Sequence, residues 1–461
     1  MKRFESTGLW FLPTDPEKQI AGRIRFSREN GISLELAGTF QANWGYISAP
    51  RYELIQGIVA ESPYGRFISL FDCFATNLKT GMPGLSLETL LAHHGFIGAD
   101  FVPSIDTKFN EATVYFPTLS RWLNISGLEM MASPDVIVKW HKHEPLKAEV
   151  RGGYVSTAFE LSEAISPDPA SISVVETPAF LVQCRESSSA DEIHHGIVGP
   201  IAYLMTFAAD KPSPISRYTL QLVDNEDEIK SFDRFYSPID EPASKKKGRR
   251  RNDPLFYLRD VPEGFSSFLP RWFAFVESHP DFCAMFFSYA YRGANYAESR
   301  FLFRMLAIQL LAKEQYSDDP VWSRMAEARS AALALDQLSG QPFPDFNIPS
   351  VPQMVSPTLV AKLLSEHWAL IKSVVGTDGD SFLPTLFSTL DYVTTRLPLS
   401  NRAKTEWSDL VWLSERLSAA IKLIMLRILG FSDDRIVNII ATNGDLSHLR
   451  RIKQPWASTS Q

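Results

Sequence analysis

Cysteine is scarce in this chain of 461 residues, and its three thiols, Cys73, Cys184 and Cys283, are widely separated. A disulfide framework or a metal knuckle would need more cysteines at closer intervals. We therefore expect three isolated, buried thiols in a reducing compartment.

Long apolar runs are absent as well. No uninterrupted run approaches the roughly 18 residues that a membrane span needs. The opening MKRFESTGLWFLPTD holds no apolar stretch of signal-peptide length. The sequence thus predicts a cytoplasmic protein without a membrane partner. A formal net charge of −7 argues against coating nucleic acid by bulk charge, but it permits a local basic site.

The motifs of several enzyme classes are missing too, since the chain has neither a glycine-rich phosphate loop nor a nucleophile elbow. Adjacent histidines diverge by about 100° on a helix and share a metal poorly. Alternate histidines could share one face of a strand, but a single acid, Glu144, lies near such a pair. We expect no metal and no cofactor. The histidine pairs are His93-His94, His141-x-His143 and His194-His195.

The first half of the chain is predicted to be β-rich. Residues 21–26 and 32–37 alternate between apolar and polar side chains, and Glu29-Asn30-Gly31 supplies a turn between them. Short strands separated by Gly, Pro and Asn are typical of a sandwich-like or half-barrel body. Further predicted strands are 52–60, 66–71, 112–116, 148–161, 171–184 and 218–223, and one helix is predicted over 192–208.

A basic segment separates this half from a helical half. The run Lys245–Arg251 is interpreted as a solvated linker, in preference to a phosphate-binding patch. The predicted fold class is α+β. It comprises a β-rich domain over 1–240, a linker over 241–258 and an all-α bundle over 259–461. Helices are predicted over 294–315, 321–337, 357–375, 383–395 and 405–429.

The last of these helices is the most regular. Its apolar residues fall on one face, which is typical of a bundle helix. Gly430 is predicted to end it, and Ser432 to begin another helix. The ten tryptophans are interpreted as core residues in preference to base-stacking platforms. The apolar face comprises Leu410, Leu413, Leu417, Ile421, Ile424 and Ile428.

Two parts of the chain together resemble one family. Residues 8–13, Gly22, 31–34, 65–73 and 97–101 look like the ApeA amino-terminal domain, and 298–302 with 410–430 look like its HEPN domain. The resemblance implies a toxin-like, anti-phage (antiviral defence) protein that acts by abortive infection. Its HEPN domain would be a metal-independent endoribonuclease acting on host RNA, for example tRNA. It also implies a homodimer formed through the HEPN domain and a phage-derived trigger.

The resemblance locates the site in residues 391–431. HEPN domains carry an arginine followed by a histidine; here Arg396 is present, but Asn401 stands where the histidine is expected. Arg396 would stabilise the phosphate, because its guanidinium is permanently charged and bidentate. Asn401 would orient the substrate, since an amide does not titrate. Arg402 and Lys404 would bind the RNA backbone.

A second departure is Leu397, where the family has a polar residue, and Pro398 follows it. Three interpretations stay open. The site cleaves slowly by positioning and charge alone, or another group (His367, Lys404 or Glu406) moves the proton. In the third, the site is dead, and the segment is the start of a helix whose charges merely face solvent. The rival function is a non-enzymatic protein that uses the HEPN fold for RNA binding, regulation or dimerisation.

Overall fold

The structure is a computed structural model. It describes residues 3–28, 30–41, 49–60, 62, 65–79, 86–132, 136–165, 172–223, 228–236, 254–292, 296–316, 357–375, 379–395, 403–404 and 406–451. The chain forms two compact units. One comprises Met1–Gly248, Tyr257–Arg259 and Glu263–Pro270, and the other comprises Arg249–Phe256, Asp260–Pro262 and Arg271–Gln461.

The first unit is built mainly from antiparallel strands, with short helices at two places. The strands are β1 Phe4–Leu12, β2 Asp15–Ser27, β3 Gly31–Leu36, β4 Arg51–Val59, β5 Phe67–Lys79, β6 Leu87–Gly98, β7 Lys108–Tyr115, β8 Leu128–Ala132, β9 Val136–Trp140, β10 Lys147–Val150, β11 Gly153–Ile165, β12 Ile172–Ser189, β13 Arg217–Val223 and β14 Ile229–Tyr236. The helices are α1 Leu119–Leu123, α2 Ala190–Ile193, a π-helical turn His194–Val198, and α3 Gly199–Ala209.

Six of the strands close into a barrel. Strands β1, β2, β3, β6, β5 and β4 pair in that order, and β4 pairs again with β1. Strand β6 connects the barrel to the rest of the sheet. Along one edge, its first half pairs with β3 and its second half pairs with β14. The sheet then continues through β14, β13, β7, β12, β11 and β10. The β-rich half is therefore confirmed, and closure of the barrel protects most of its strand edges.

Alternation along the strands fills the barrel with apolar side chains. Trp10 on β1 is fully buried and lies opposite Gly57 on β4. The turn predicted from Asn30-Gly31 joins β2 to β3, with Gly31 at φ 72°. The prediction of one continuous strand over 148–161 is wrong. This segment is a hairpin, β10 and β11, because Gly152 turns the chain at φ 91°.

The second unit is helical, as predicted. Its helices, counted from α4, which begins in the first unit, are α4 Phe265–Ser278, α5 Pro280–Arg292, α6 Ala297–Gln315, α7 Pro357–Glu366, α8 Trp368–Val375, α9 Gly379–Thr395, α10 Trp407–Ile428, α11 Asp433–Thr442 and α12 Gly444–Arg451. The helix predicted over 357–375 is interrupted at His367 and forms α7 and α8. The helix predicted over 321–337 lies outside the described residues, as does the basic run 245–251.

Helix α10 is the centre of this unit. The predicted end at Gly430, with φ 87°, and the predicted start at Ser432, which accepts a bond from the Arg435 backbone N–H, are both confirmed. The expectation of a single apolar face is too narrow. From Leu413 to Leu426 the helix is buried on nearly all sides, including Ser414, Arg416 and Ser418. A helix buried all round lies inside a bundle and not on its surface.

Candidate functional site

Three of the four residues predicted to form the site, Arg396, Asn401 and Arg402, lie outside the described residues. Their assignment stays a prediction. Lys404 is described, and so are the helices on either side of the segment. The surroundings of the predicted site are therefore described through the contacts of Lys404 and the start of the helix that follows it.

Lys404 is held against helix α9, which ends at Thr395, directly before the predicted segment in sequence. The backbone N–H of Lys404 donates to Thr389 Oγ1 of this helix at 3.0 Å. Thr389 is fully buried and lies six residues before the end of α9, a rise of about 9 Å. The contact therefore fixes the position of Lys404 beside the carboxy-terminal part of α9.

Helix α10 starts just after Lys404. Glu406 is its N-cap residue, and Asp409 lies in its first turn, with Oδ2 4.0 Å from Lys404 Nζ. The amino-terminal end of a helix carries a partial positive charge and unpaired N–H groups, which favour anions. Lys404 adds a full positive charge at the same place, and Asp409 partly offsets it.

Trp407, in this first turn, is 66% exposed. Core packing is confirmed for Trp10, Trp122 and Trp272, which are all buried, but Trp407 does not follow that rule. An exposed indole beside cationic groups is the combination with which proteins stack and hold unpaired bases. The sequence carried a signal for it, because Trp407 precedes the apolar face that begins at Leu410 and follows Lys404 closely.

One arginine deeper in the unit links α6 to α10, and a second is buried on α10. Arg304 on α6 donates to Ser414 Oγ at 2.7 Å and to Glu415 Oε1 at 3.1 Å on α10. Arg416 on α10 is 1% exposed, and burial lowers its pKa. Because α6 and α10 are the longest helices of the described residues, the Arg304 contacts fix the frame of the helical unit.

His367 lies at the opposite end of this frame. Burial lowers its pKa, and the charges that act on it next are those of Arg427 and then Glu366 and Asp433. Arg427 is twenty residues along α10 from Trp407, about 30 Å. Within one chain, His367 is therefore too far from Lys404 to move a proton there. Of the three groups considered for that role, Lys404 and Glu406 lie beside the start of α10.

The three histidine pairs singled out in the sequence belong to the first unit. His141 and His143 follow β9 and do not lie on it, and they contact different carboxylates, those of Glu129 and Glu176. His94 approaches the buried Arg234, which is also bonded to Asp191. Among the described residues, no three His, Cys, Asp or Glu side chains are grouped as metal ligands would be.

Comparison with protein families identifies the amino-terminal part of the chain. The family described as ApeA N-terminal domain 1 matches residues 5–272, which is more than half of the chain. The chain therefore belongs to the ApeA family, an anti-phage defence family, as its sequence resemblance predicted. Comparison with curated proteins and with solved structures gives no match. No helix in the described ranges combines the length and apolarity that crossing a membrane requires.

Proposed function

We propose that this chain is an anti-phage, abortive-infection effector whose helical unit is a HEPN-type module that binds and cleaves host RNA. The observation that carries the proposal is that a cation, Lys404, and an exposed aromatic ring, Trp407, both lie at the start of α10. Around them the sequence adds Arg396 and Arg402. Cations for phosphates and an aromatic face for a base are what single-stranded RNA, such as a tRNA loop, needs.

Each group has a chemical role in this proposal. Arg396 stabilises charge on the phosphate attacked by the ribose 2′-hydroxyl, and Asn401 orients the nucleotide. Arg402 and Lys404 bind backbone phosphates, and Trp407 stacks on a base. Lys404 or Glu406 moves the proton, since both lie at the site and Asn401 cannot titrate.

The β-rich unit acts as the sensor in this proposal, releasing the toxic activity after a phage-derived trigger. A homodimer formed through the helical units would bring two copies of the segment 396–404 together. The division into a sensing domain over 1–240, a linker over 241–258 and an effector domain over 259–461 belongs to the same proposal.

Binding is tested with purified full-length protein and labelled tRNA. Trp407→Ala is expected to weaken binding about tenfold, because stacking on one base contributes about 1–3 kcal/mol. Thr389→Val, which removes the acceptor that anchors Lys404, should also weaken it. The matched control is Tyr296→Ala, since Tyr296 is an equally exposed aromatic (71%) of the same unit. Equal binding by wild type and Trp407→Ala would refute the proposed site.

A second candidate is an RNA-binding or regulatory protein without turnover. Two observations favour it: Asn401 replaces the expected histidine, and His367 lies at the far end of α10. Metal-free incubation with tRNA separates the two functions. Cleavage by wild type that Arg396→Ala abolishes supports the nuclease. Binding without cleavage, with cleavage gained in Asn401→His, supports the silent form.

A further inference from the structure

A large cavity lies in the first unit, away from the helical residues discussed above. Its volume is about 1170 Å³. It is bordered by the β2–β3 turn, by the adjoining ends of β7 and β13, and by neighbouring residues of β11 and β12. Pockets for small ligands typically measure about 300–1,000 Å³, so this cavity, named here the arginine cavity, has room for a nucleotide-sized molecule.

The lining of the arginine cavity is rich in arginine. Arg3, Arg25, Arg28 and Arg217 line it, and Glu160 is the one carboxylate among the lining residues that the structure describes. Because Arg25 pairs with Glu5 and Glu35, and Arg217 pairs with Asp233, the positive charge that such pairs do not offset comes mainly from Arg3 and Arg28. The tyrosine hydroxyl of Tyr115 donates to Glu160. The protein as a whole carries a net charge of −7, so this concentration of positive charge is local. Such a concentration attracts anionic ligands and orients them.

Two of these arginines are held in place with donors to spare. Arg28 donates from Nη2 to the backbone carbonyl of Ile215 at 2.8 Å, a neutral partner that fixes the guanidinium without cancelling its charge. Arg217 donates from Nε to Asp233 Oδ1 at 3.1 Å. A guanidinium has five N–H donors, so each of these contacts leaves others for a ligand. Preorganised donors of this kind lose little entropy on binding.

Neutral donors complete the lining. The hydroxyl groups of Ser27, Ser33, Ser162 and Thr177 line the same cavity. Ser27 also fixes the shape of the β2–β3 turn, because its Oγ accepts from the Asn30 backbone N–H at 3.0 Å. Hydroxyl and guanidinium groups together are suited to the oxygen atoms of phosphate.

We propose that the arginine cavity binds a small ligand that carries two or more phosphate groups, such as a nucleoside polyphosphate. Planar, permanently charged arginine forks match phosphate oxygens in pairs, which favours phosphate over a single carboxylate. A single concave pocket of this volume also differs from the extended basic groove that tracks a nucleic-acid strand. The proposal does not rest on RNA binding by the helical unit, and either can fail alone.

The test is isothermal titration of the full-length protein with ATP, inorganic pyrophosphate, AMP and adenosine. ATP and pyrophosphate should bind, AMP more weakly, and adenosine not at all. Tighter binding of ATP than of pyrophosphate would identify the ligand as a nucleotide, and equal binding would identify it by its phosphates alone. No binding of ATP or pyrophosphate at millimolar concentration, or equal binding of adenosine, would overturn the proposal.

Variants assign the binding to the cavity. Arg28→Ala and Arg3→Ala should each raise the dissociation constant for pyrophosphate about tenfold or more, as expected for a lost charge-assisted contact. Arg3 lies before β1 and is exposed, so its variant is expected to fold even if Arg28→Ala does not. The control is Arg185→Ala, an exposed arginine of β12 that pairs with Glu149, since neither residue lines the cavity. Equal weakening in the control, or binding of RNA but not pyrophosphate by the cavity, would contradict the proposal.

Discussion

Replacing Gly57 by alanine should destabilise the barrel through a single added methyl group. An alanine Cβ at this position would lie 2.3 Å from Cε3, 2.5 Å from Cζ3 and 2.7 Å from Cδ2 of Trp10. Carbon atoms pack at about 3.5–4.0 Å, so the indole would have to retreat by more than about 1 Å. The ring has little space for this retreat, because Trp10 is fully buried and its Cδ1 edge already faces Gly22, where even an added Cβ would lie within 2.9 Å of it.

Overpacking of this kind typically costs about 1–3 kcal/mol, and we expect Gly57→Ala to lie near 3 kcal/mol. The measurement is hydrogen exchange of peptides from β1 and β4 in full-length protein, because a chain with two units need not unfold in one step. The control is Gly196→Ala, where an added Cβ meets nothing within 4 Å. Similar protection of β1 and β4 in both variants would refute the packing argument.

Two further predictions concern charged groups. Burial, with the nearby Arg234, lowers the pKa of His194 to about 3. Below about pH 6.5 the unfolded chain therefore takes up a proton that the folded chain does not. The free energy of unfolding decreases as the pH is lowered, by about 2 kcal/mol from pH 7 to pH 5. Urea unfolding at both pH values should show a smaller loss in His194→Gln, and an unchanged loss would contradict the assignment. Arg304→Met removes the bonds from α6 to α10 and should cost about 2 kcal/mol. Hydrogen exchange of α10 should be faster in Arg304→Met than in Lys313→Met, a control at an exposed position of α6. Equal exchange in the two variants would contradict the role of Arg304.

The sequence predicted the fold best where local chemistry and tertiary packing agree. The Asn30-Gly31 turn and the end of α10 at Gly430 were both predictable, because each needs a positive φ that glycine adopts at low cost. Gly152 needs one too, but the apolar alternation continues across it, so the hairpin of β10 and β11 was predicted as one strand. Closure of the barrel depends on β4 pairing with β1, a long-range contact that no local pattern encodes.

The candidate site stays a prediction, because Arg396, Asn401 and Arg402 lie outside the described residues. The family resemblance drew attention to residues 391–431, and of the four predicted residues only Lys404 is described, beside α9. Exposure of Trp407 could not be read from composition, because most tryptophans of a globular protein are packed inside. The arginine cavity was not predicted, since Arg3, Arg28 and Arg217 are far apart in sequence and the sheet brings them together.

The most direct test of the proposed RNA site is ultraviolet crosslinking of the full-length protein to tRNA, followed by mass spectrometry of the crosslinked peptides. Crosslinks are expected within residues 396–407, centred on Trp407, and they should be lost in Trp407→Ala but not in Tyr296→Ala. Crosslinks confined to the β-rich unit, or unchanged by Trp407→Ala, would contradict an RNA site at the start of α10.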